Sequence, residues 1–321
     1  MTVDNPTQAE VSADQKLSVS DLISIHYLTP GDIALIFKTA SAMKKNPGDY
    51  AHALDRKTLA LIFEKPSLRT RVTFDVGITS MGGNAVFLDH SDAKLGERES
   101  IKDVAKNLER WVHGIVARTY KNKSVLELAE HASIPVINGL TDLLHPCQAL
   151  ADYFTILEKF ENVKSLKLAY VGDGNNTCHS LIDGAAKLGL ELWIATPEGF
   201  EPNHRIVSEG KKTAKETGAR IEILNDPRTA VDQASIVYTD VWASMGQEAE
   251  TEDRAAVFAS YRVDSELMSY AQRDAVFMHC LPAHRGYEVA PGVIDSPQSL
   301  VYDQAENRLH VQKAILYLLM V

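Results

Sequence analysis

Cysteine is scarce in this chain: its 321 residues include three, Cys147, Cys178 and Cys280. An odd, sparse set excludes a disulfide framework and fits a reducing cytoplasm. Long apolar runs are also missing, so no segment reads as a membrane span. Positive charge is in deficit, with 33 Lys and Arg against 43 Asp and Glu and a formal net charge of -10. That balance argues against nucleic acid or an anionic membrane as partner and leaves any anion binding to a local basic pocket. No fixed period recurs, which excludes a solenoid. Metal-ligand spacing is absent as well. His145/Cys147, Cys178/His179 and His279/Cys280 are close in sequence, but strand neighbours face opposite ways and i, i+2 helix residues diverge, so no metal is expected. The dinucleotide fingerprint is incomplete, since Thr177 stands at its third glycine and no acid closes the next strand at Ala195-Thr196. Ser244 lacks the leading glycine of a hydrolase nucleophile elbow.

What is present is an alternation of short apolar runs and amphipathic stretches. Strands are expected at Leu59–Phe63, Ala85–Leu88, Gly114–Ala117, Pro135–Asn138, Lys167–Val171, Leu192–Ala195, Arg220–Leu224, Ile236–Thr239 and Ala275–His279. Helical spacing falls between them, at Ser100–Val112, Ser124–His131, Gln148–Phe160, Ser180–Leu188 and Ile206–Thr217, with a last helix from about Leu309. This alternation implies the α/β class: two doubly wound domains with parallel central sheets. After a disordered polar tail at 1–18, the expected domains are 19–155, completed by a C-terminal helix at 309–321, and 156–308.

Ligands of open parallel sheets collect beyond the carboxyl ends of the strands, and the unusual polar clusters of this chain fall there. Phe63-Glu64-Lys65-Pro66-Ser67-Leu68-Arg69-Thr70-Arg71 follows the first strand. Pro66 breaks the run and Ser67 reads as the N-cap of the next helix, whose first amides, two hydroxyls and two guanidinium groups form an anion cradle. The alternative is an ordinary capped helix with solvated arginines. Arg118 follows the third strand. His145 precedes Pro146 at another helix mouth, where nearby positive charge keeps an imidazole neutral and able to polarise a carbonyl, with Gln148 one turn on, or else this is a capping His with a solvent-facing Gln. Asn175-Asn176 after the fifth strand suits hydrogen bonding to a small polar ligand. Asp240 and Ser244 bracket a loop with Trp242, Met245 and Gly246 that suits a cationic amine, or else is a plain connection. Cys280 beside Leu281-Pro282 reads as a reactive thiol or a packing residue, and the Leu281–Pro282 bond is expected to be cis. Six such clusters imply one cleft between two sheets.

Taken together these residues resemble the ornithine carbamoyltransferase family. Ser-x-Arg-Thr-Arg, His-Pro-Cys-Gln, Asp-x-Trp-x-Ser-Met-Gly and His-Cys-Leu-Pro occur in order, followed by Asp303-Gln304-Ala305-Glu306-Asn307-Arg308, and the likeness runs from about Leu22 to Leu319. The resemblance implies that Ser67, Leu68, Arg69, Thr70 and Arg118 hold the phosphate of carbamoyl phosphate, with Arg308 assisting. His145 and Arg118 would polarise the carbamoyl oxygen, Gln148 and the Leu281 backbone would orient its amide, and Cys280 would lie beside the attacking amine. Asn176, Asp240, Ser244 and Met245 would hold L-ornithine. The implied reaction is direct attack of the δ-amine through a tetrahedral intermediate to L-citrulline and phosphate, without a cofactor. Two positions depart from the family. Leu68 stands where a threonine is usual, which costs a hydroxyl contact, and Lys94 replaces a Gln or His that reaches a neighbouring subunit's site. The implied assembly is a homotrimer or a multiple of trimers. Carbamoyl transfer to another amine, such as putrescine or a modified ornithine, is the alternative enzyme; a non-catalytic carbamoyl phosphate sensor is the alternative class.

Overall fold

The computed structural model describes residues 15–90, 94–160, 162–243 and 251–321, with side chains in the last span from Arg254 onward. The chain divides into two compact units, Met1–Phe154 with Glu306–Val321, and Thr155–Ala305. In the first unit β1 (Thr58–Phe63), β2 (Asn84–Asp89), β3 (Gly114–Arg118) and β4 (Val136–Leu140) form a parallel sheet in the order β2-β1-β3-β4. Its helices are α1 (Pro30–Lys45), α2 (Arg69–Thr79), α3 (Ile101–Leu108), α4 (Asn122–His131) and α5 (Pro146–Lys159). In the second unit β5 (Lys167–Val171), β6 (Glu191–Ala195), β7 (Arg220–Leu224), β8 (Ile236–Thr239) and β9 (Val276–His279) are also parallel, in the order β7-β6-β5-β8-β9. With them run α6 (Asn176–Leu188), α7 (His204–Thr217), α8 (Pro227–Val231), α9 (Thr251–Phe258), α10 (Ser265–Met268), α11 (Pro291–Ile294) and the start of α12 (Val301–Met320).

The apolar run Leu59-Ala60-Leu61-Ile62-Phe63 is buried throughout because β1 has a strand on each side and helices on both faces. Each large aliphatic side chain so buried contributes about 1.5–3 kcal/mol. β2, at the edge, alternates half-buried and exposed residues instead. Strand order reverses between β1 and β3 in one sheet and between β5 and β8 in the other. These are the switch points where connections leave in opposite directions and open a crevice beyond the strand ends. The Cys280-flanking Leu281–Pro282 bond is cis, and Leu281 has φ 57°, a left-handed conformation unusual for leucine.

Helix starts near the polar clusters differ from the sequence expectation in three instructive cases. α2 is not capped by Ser67: Leu68 occupies the cap position in helical conformation (φ -75°, ψ -64°), and no side chain caps the turn. A serine oxygen there would compete with an anion for the first amides. α6 begins at Asn176 because Asn175 caps it, accepting from the amides of Thr177 and Cys178 at 3.0 and 3.1 Å. α12 begins at Val301 rather than near Leu309. Its first turns are polar, so hydrophobic spacing cannot reveal them, yet Gln304, Asn307 and Arg308 are almost wholly buried.

Candidate active site

In the first unit the end of β1 lies beside the end of β3: Phe63 pairs with Arg118, and the Glu64 amide donates to the Arg118 carbonyl at 2.9 Å. This register sets the helix mouth of α2 against the Arg118 side chain. The first intrahelical bond of α2 runs from the Val72 amide to the Leu68 carbonyl, 3.0 Å, so the preceding amides have no acceptor within the helix. Thr70 sits in that first turn, 1% exposed. Its hydroxyl oxygen accepts from Arg308 Nη2 at 3.0 Å and from Arg118 Nη1 at 3.5 Å. Two buried guanidinium groups thus converge on one hydroxyl at a helix N-terminus, an arrangement that attracts a dianion. Arg71 is not in this cluster; its guanidinium lies 3.6 Å from the centroid of the Phe87 ring on β2. Ser67 is half-buried, whereas Leu68 is 74% exposed and offers backbone only.

β4 leads into a turn closed by the Thr141 amide on the Leu144 carbonyl (2.9 Å), and His145 follows at the mouth of α5. Burial holds the His145 imidazole well below its usual range, and the charges of Arg308, Arg118 and Arg69 push it further the same way. His145 is therefore a neutral ring within the field of three guanidinium groups, an N–H donor that keeps no charge of its own. Burial similarly pushes the neighbouring Cys147 thiol up to about 12, which leaves it a packing residue.

Arg308 is fixed by more than Thr70. Its Nη1 donates to Gln148 Oε1, and Gln148 Nε2 donates to Asp152 at 2.7 Å. The Gln312 amide is satisfied with its oxygen toward Arg308, accepting from Nη2 at 2.9 Å and Nε at 3.2 Å, and its –NH2 toward Thr73 Oγ1. Thr73 in turn donates to the Arg69 carbonyl at 2.6 Å. Asp152, Gln312 and Thr73 were not singled out from sequence. The available signal was spacing: Asp152 is four residues from Gln148 and Gln312 four from Arg308, each one helical turn on the same face.

Glu64 is buried and binds two more pieces of this region, accepting from the Leu95 amide at 2.8 Å and the Tyr120 amide at 2.6 Å. The exposed Lys94 is thereby held near the end of β3, its Nζ 4.9 Å from the Tyr120 ring centroid, with Lys65 Nζ at 4.4 Å from the same ring.

In the second unit the ends of β5 and β8 are neighbours, Val171 pairing with Thr239. Two carboxylates follow them. Asp173 forms an ion pair with Arg254 at 3.1 Å, and Arg254 also donates to the Trp242 carbonyl at 2.7 Å. Asp240 is 5% exposed and accepts from Asn175 Nδ2 (2.8 Å), the Val241 amide (2.8 Å) and the Cys280 thiol (2.9 Å). Among the described residues no Lys or Arg pairs with it, whereas a buried carboxylate is ordinarily paired. Asn176 opens α6 beside this group. Ser244 and Met245 lie outside the described residues.

Asp240, His279 and Cys280 also offer ligand atoms within 4.8 Å of one another, a convergence that the argument from adjacent residues did not foresee. Hydrogen bonds already occupy them: besides the Cys280–Asp240 contact, His279 Nδ1 accepts from the Leu281 amide at 2.9 Å. That bond leaves the ring proton on Nε2, 3.3 Å from the buried Glu288 carboxylate. Gly172 and Gly174 have backbone roles. Gly172 adopts φ 146°, and a Cβ on Gly174 would stand 2.3 Å from the Pro202 nitrogen.

Two family models match the chain: aspartate/ornithine carbamoyltransferase, carbamoyl-P binding domain, over residues 20–158, and the Asp/Orn binding domain over 164–319. The chain is 51% identical over 302 residues to an ornithine carbamoyltransferase of Pyrococcus horikoshii, covering 94% of this chain and 95% of that one. It is 50% identical over 306 residues to the anabolic ornithine carbamoyltransferase of Pyrococcus furiosus, with 95% and 97% covered. The solved P. furiosus ornithine carbamoyltransferase superposes with a TM-score of 0.91, covering 94% of this chain and 96% of that one at 50% identity. That of Giardia lamblia gives 0.87 at 35% identity, with 94% and 98% covered.

Proposed function

This chain belongs to the aspartate/ornithine carbamoyltransferase family, and from that premise we propose that it transfers the carbamoyl group of carbamoyl phosphate to the δ-amine of L-ornithine. The products are L-citrulline and phosphate. The observation that carries this reading is the convergence of Arg118 and Arg308 on Thr70 at the mouth of α2, paired with an Asp240 that has no Lys or Arg partner among the described residues. One group suits a phosphate dianion, the other an ammonium.

In the proposed reaction Ser67, Leu68, Arg69, Thr70 and Arg118 bind the phosphate through first-turn amides, hydroxyls and guanidinium groups. Thr70 accepts from two arginines and so directs its own O–H at the ligand. Neutral His145, with Arg118, donates to the carbamoyl oxygen, and Arg308 and Gln148 fix the rest of that ligand. Asn176, Asp240, Ser244 and Met245 take the amino-acid end of ornithine. Cys280 lies at the attacking amine, and the Leu281 backbone serves the carbamoyl amide. The δ-nitrogen bonds to the carbamoyl carbon and the carbonyl becomes an oxyanion. Its collapse breaks the carbon–oxygen bond to phosphate, which departs with a proton lost by the amine. Donors placed where the oxyanion forms supply the largest share of the acceleration, and joint binding of two substrates supplies orientation. No cofactor is invoked.

We further propose a homotrimer or a multiple of it, with Lys94 reaching a neighbouring subunit's site. Support comes from Leu68, Val72 and Val76 on and before α2 and Val86 on the edge strand β2, apolar side chains that are 43–74% exposed. A cytoplasmic location is supported by three free cysteines. The test is citrulline formation from carbamoyl phosphate with ornithine, putrescine and modified ornithines offered in parallel. Turnover confined to ornithine is expected; preference for another amine would replace the substrate assignment, and binding without turnover would mark a sensor.

A further inference from the structure

We propose that Asp152 is a positioning residue for substrate choice: it locks the Gln148 amide so that the site presents an acceptor to the carbamoyl –NH2. The inference rests on the carbamoyl-transfer reading above and adds to it what distinguishes the carbamoyl group from its isosteres.

The argument starts from donors and acceptors. A carboxylate can only accept and a guanidinium can only donate. Gln148, 1% exposed, is held between one of each: Asp152, wholly buried, accepts from its Nε2 at 2.7 Å, and Arg308 donates to its Oε1. Turning the amide over would set –NH2 against guanidinium N–H groups and oxygen against carboxylate oxygen. Two bonds would become two repulsions among groups buried from bulk solvent. The orientation is therefore fixed, with the oxygen on the Arg308 side.

Each end of the amide keeps spare capacity: one lone pair on Oε1 and one N–H on Nε2. On the Arg308 side the other acceptor, the Gln312 oxygen, is already taken by Arg308 Nη2 and Nε. Arg69, Arg118 and Arg308 cannot accept, and the Thr70 oxygen already takes two guanidinium contacts. A phosphate and a carbonyl oxygen are served by these donors, but an –NH2 group needs an acceptor, and Gln148 Oε1 supplies it. Acetyl phosphate carries a methyl group at that place and would leave the lone pair unmatched. Without Asp152 the amide would lose the partner that holds its nitrogen away from the ligand.

Asp152→Asn is nearly isosteric and lets either end of the new amide face Gln148. Dissociation constants for carbamoyl phosphate, acetyl phosphate and inorganic phosphate are measured by calorimetry on the wild type, Asp152→Asn, Gln148→Met and the double variant. The wild type is expected to prefer carbamoyl over acetyl phosphate, and Asp152→Asn to shrink that preference about tenfold, the equivalent of one hydrogen bond. Inorganic phosphate, which uses only the donor half of the site, should change by less than about twofold. Gln148→Met should lose the same preference, and adding Asp152→Asn to it should change nothing further. Asp152 acts through something other than Gln148 if the preference survives in Asp152→Asn, if inorganic phosphate weakens in parallel, or if the double variant loses a second full increment. Because binding is read directly, a wild type that discriminates without forming citrulline would remove the transfer reading and leave the role of Asp152 standing.

Discussion

Arg308 Nη2 donates to the Thr70 hydroxyl at 3.0 Å across 238 residues of sequence. That contact makes the C-terminal helix a structural part of the anion site proposed for the first unit, because the guanidinium is also anchored from its own helix by Gln312. The anchors can be tested separately from the ligand-binding groups.

Gln312→Leu removes the acceptor for two Arg308 N–H contacts and leaves buried donors unmatched. It should destabilise the fold by about 1–3 kcal/mol and raise the KM for carbamoyl phosphate more than that for ornithine. Urea unfolding and a two-substrate kinetic grid read the two effects. Unchanged stability with an unchanged KM would show that Gln148 and Thr70 suffice to hold Arg308.

Asp240→Asn keeps the shape and the Val241 amide contact, turns an –NH2 toward Asn175 Nδ2 in place of the second acceptor oxygen, and removes the negative charge. A charged hydrogen bond is worth about 1.5–3 kcal/mol, so the ornithine KM should rise roughly 10- to 150-fold while that for carbamoyl phosphate stays within about twofold. Equal losses for both substrates would assign the β8 loop to another role.

His145 stays neutral in the folded protein well below the pH at which a free imidazole, near 6.5, takes up a proton. The unfolded chain therefore binds the extra proton first, and stability falls as pH drops below about 6.5, by up to about 1.4 kcal/mol per pH unit for this one group. His145→Asn should flatten the acid side of the stability profile by that amount and leave it unchanged above about pH 7.5. Unfolding free energies at half-unit steps from pH 5 to 8 check it; parallel profiles for variant and wild type would mean that His145 titrates in the fold as it does in the unfolded chain.

Lys94 and Arg69 test the proposed sharing of sites between subunits. Arg69→Ala should abolish carbamoyl phosphate binding while the fold survives, and Lys94→Ala should reduce turnover. If Lys94 acts in a neighbouring subunit, denaturing and refolding the two variants together should restore activity to about a quarter of the sites, by random assortment in closed rings. No recovery on mixing would place Lys94 in its own chain's site.

The sequence determined the strands most fully. Leu59–Phe63, Lys167–Val171 and Ile236–Thr239 are central strands of parallel sheets, buried on both faces, so continuous apolar runs mark them without reference to partners. It also marked Arg69, Arg118, His145 and Asp240 at strand ends and helix mouths, the places where an open parallel sheet gathers polar groups. Tertiary structure alone decided how those groups are held. The first turns of α12 are invisible to hydrophobic spacing since their buried side chains are Gln304, Asn307 and Arg308, and Thr70 meets Arg308 only once the chain has closed on itself. Which carboxylate is left without a cation is likewise settled in space, since Asp173 and Asp240 look alike in sequence until Arg254 pairs with one. Apolar burial is a property of a segment and is written along it; charge compensation and amide orientation belong to pairs of groups, and folding alone determines the pairs.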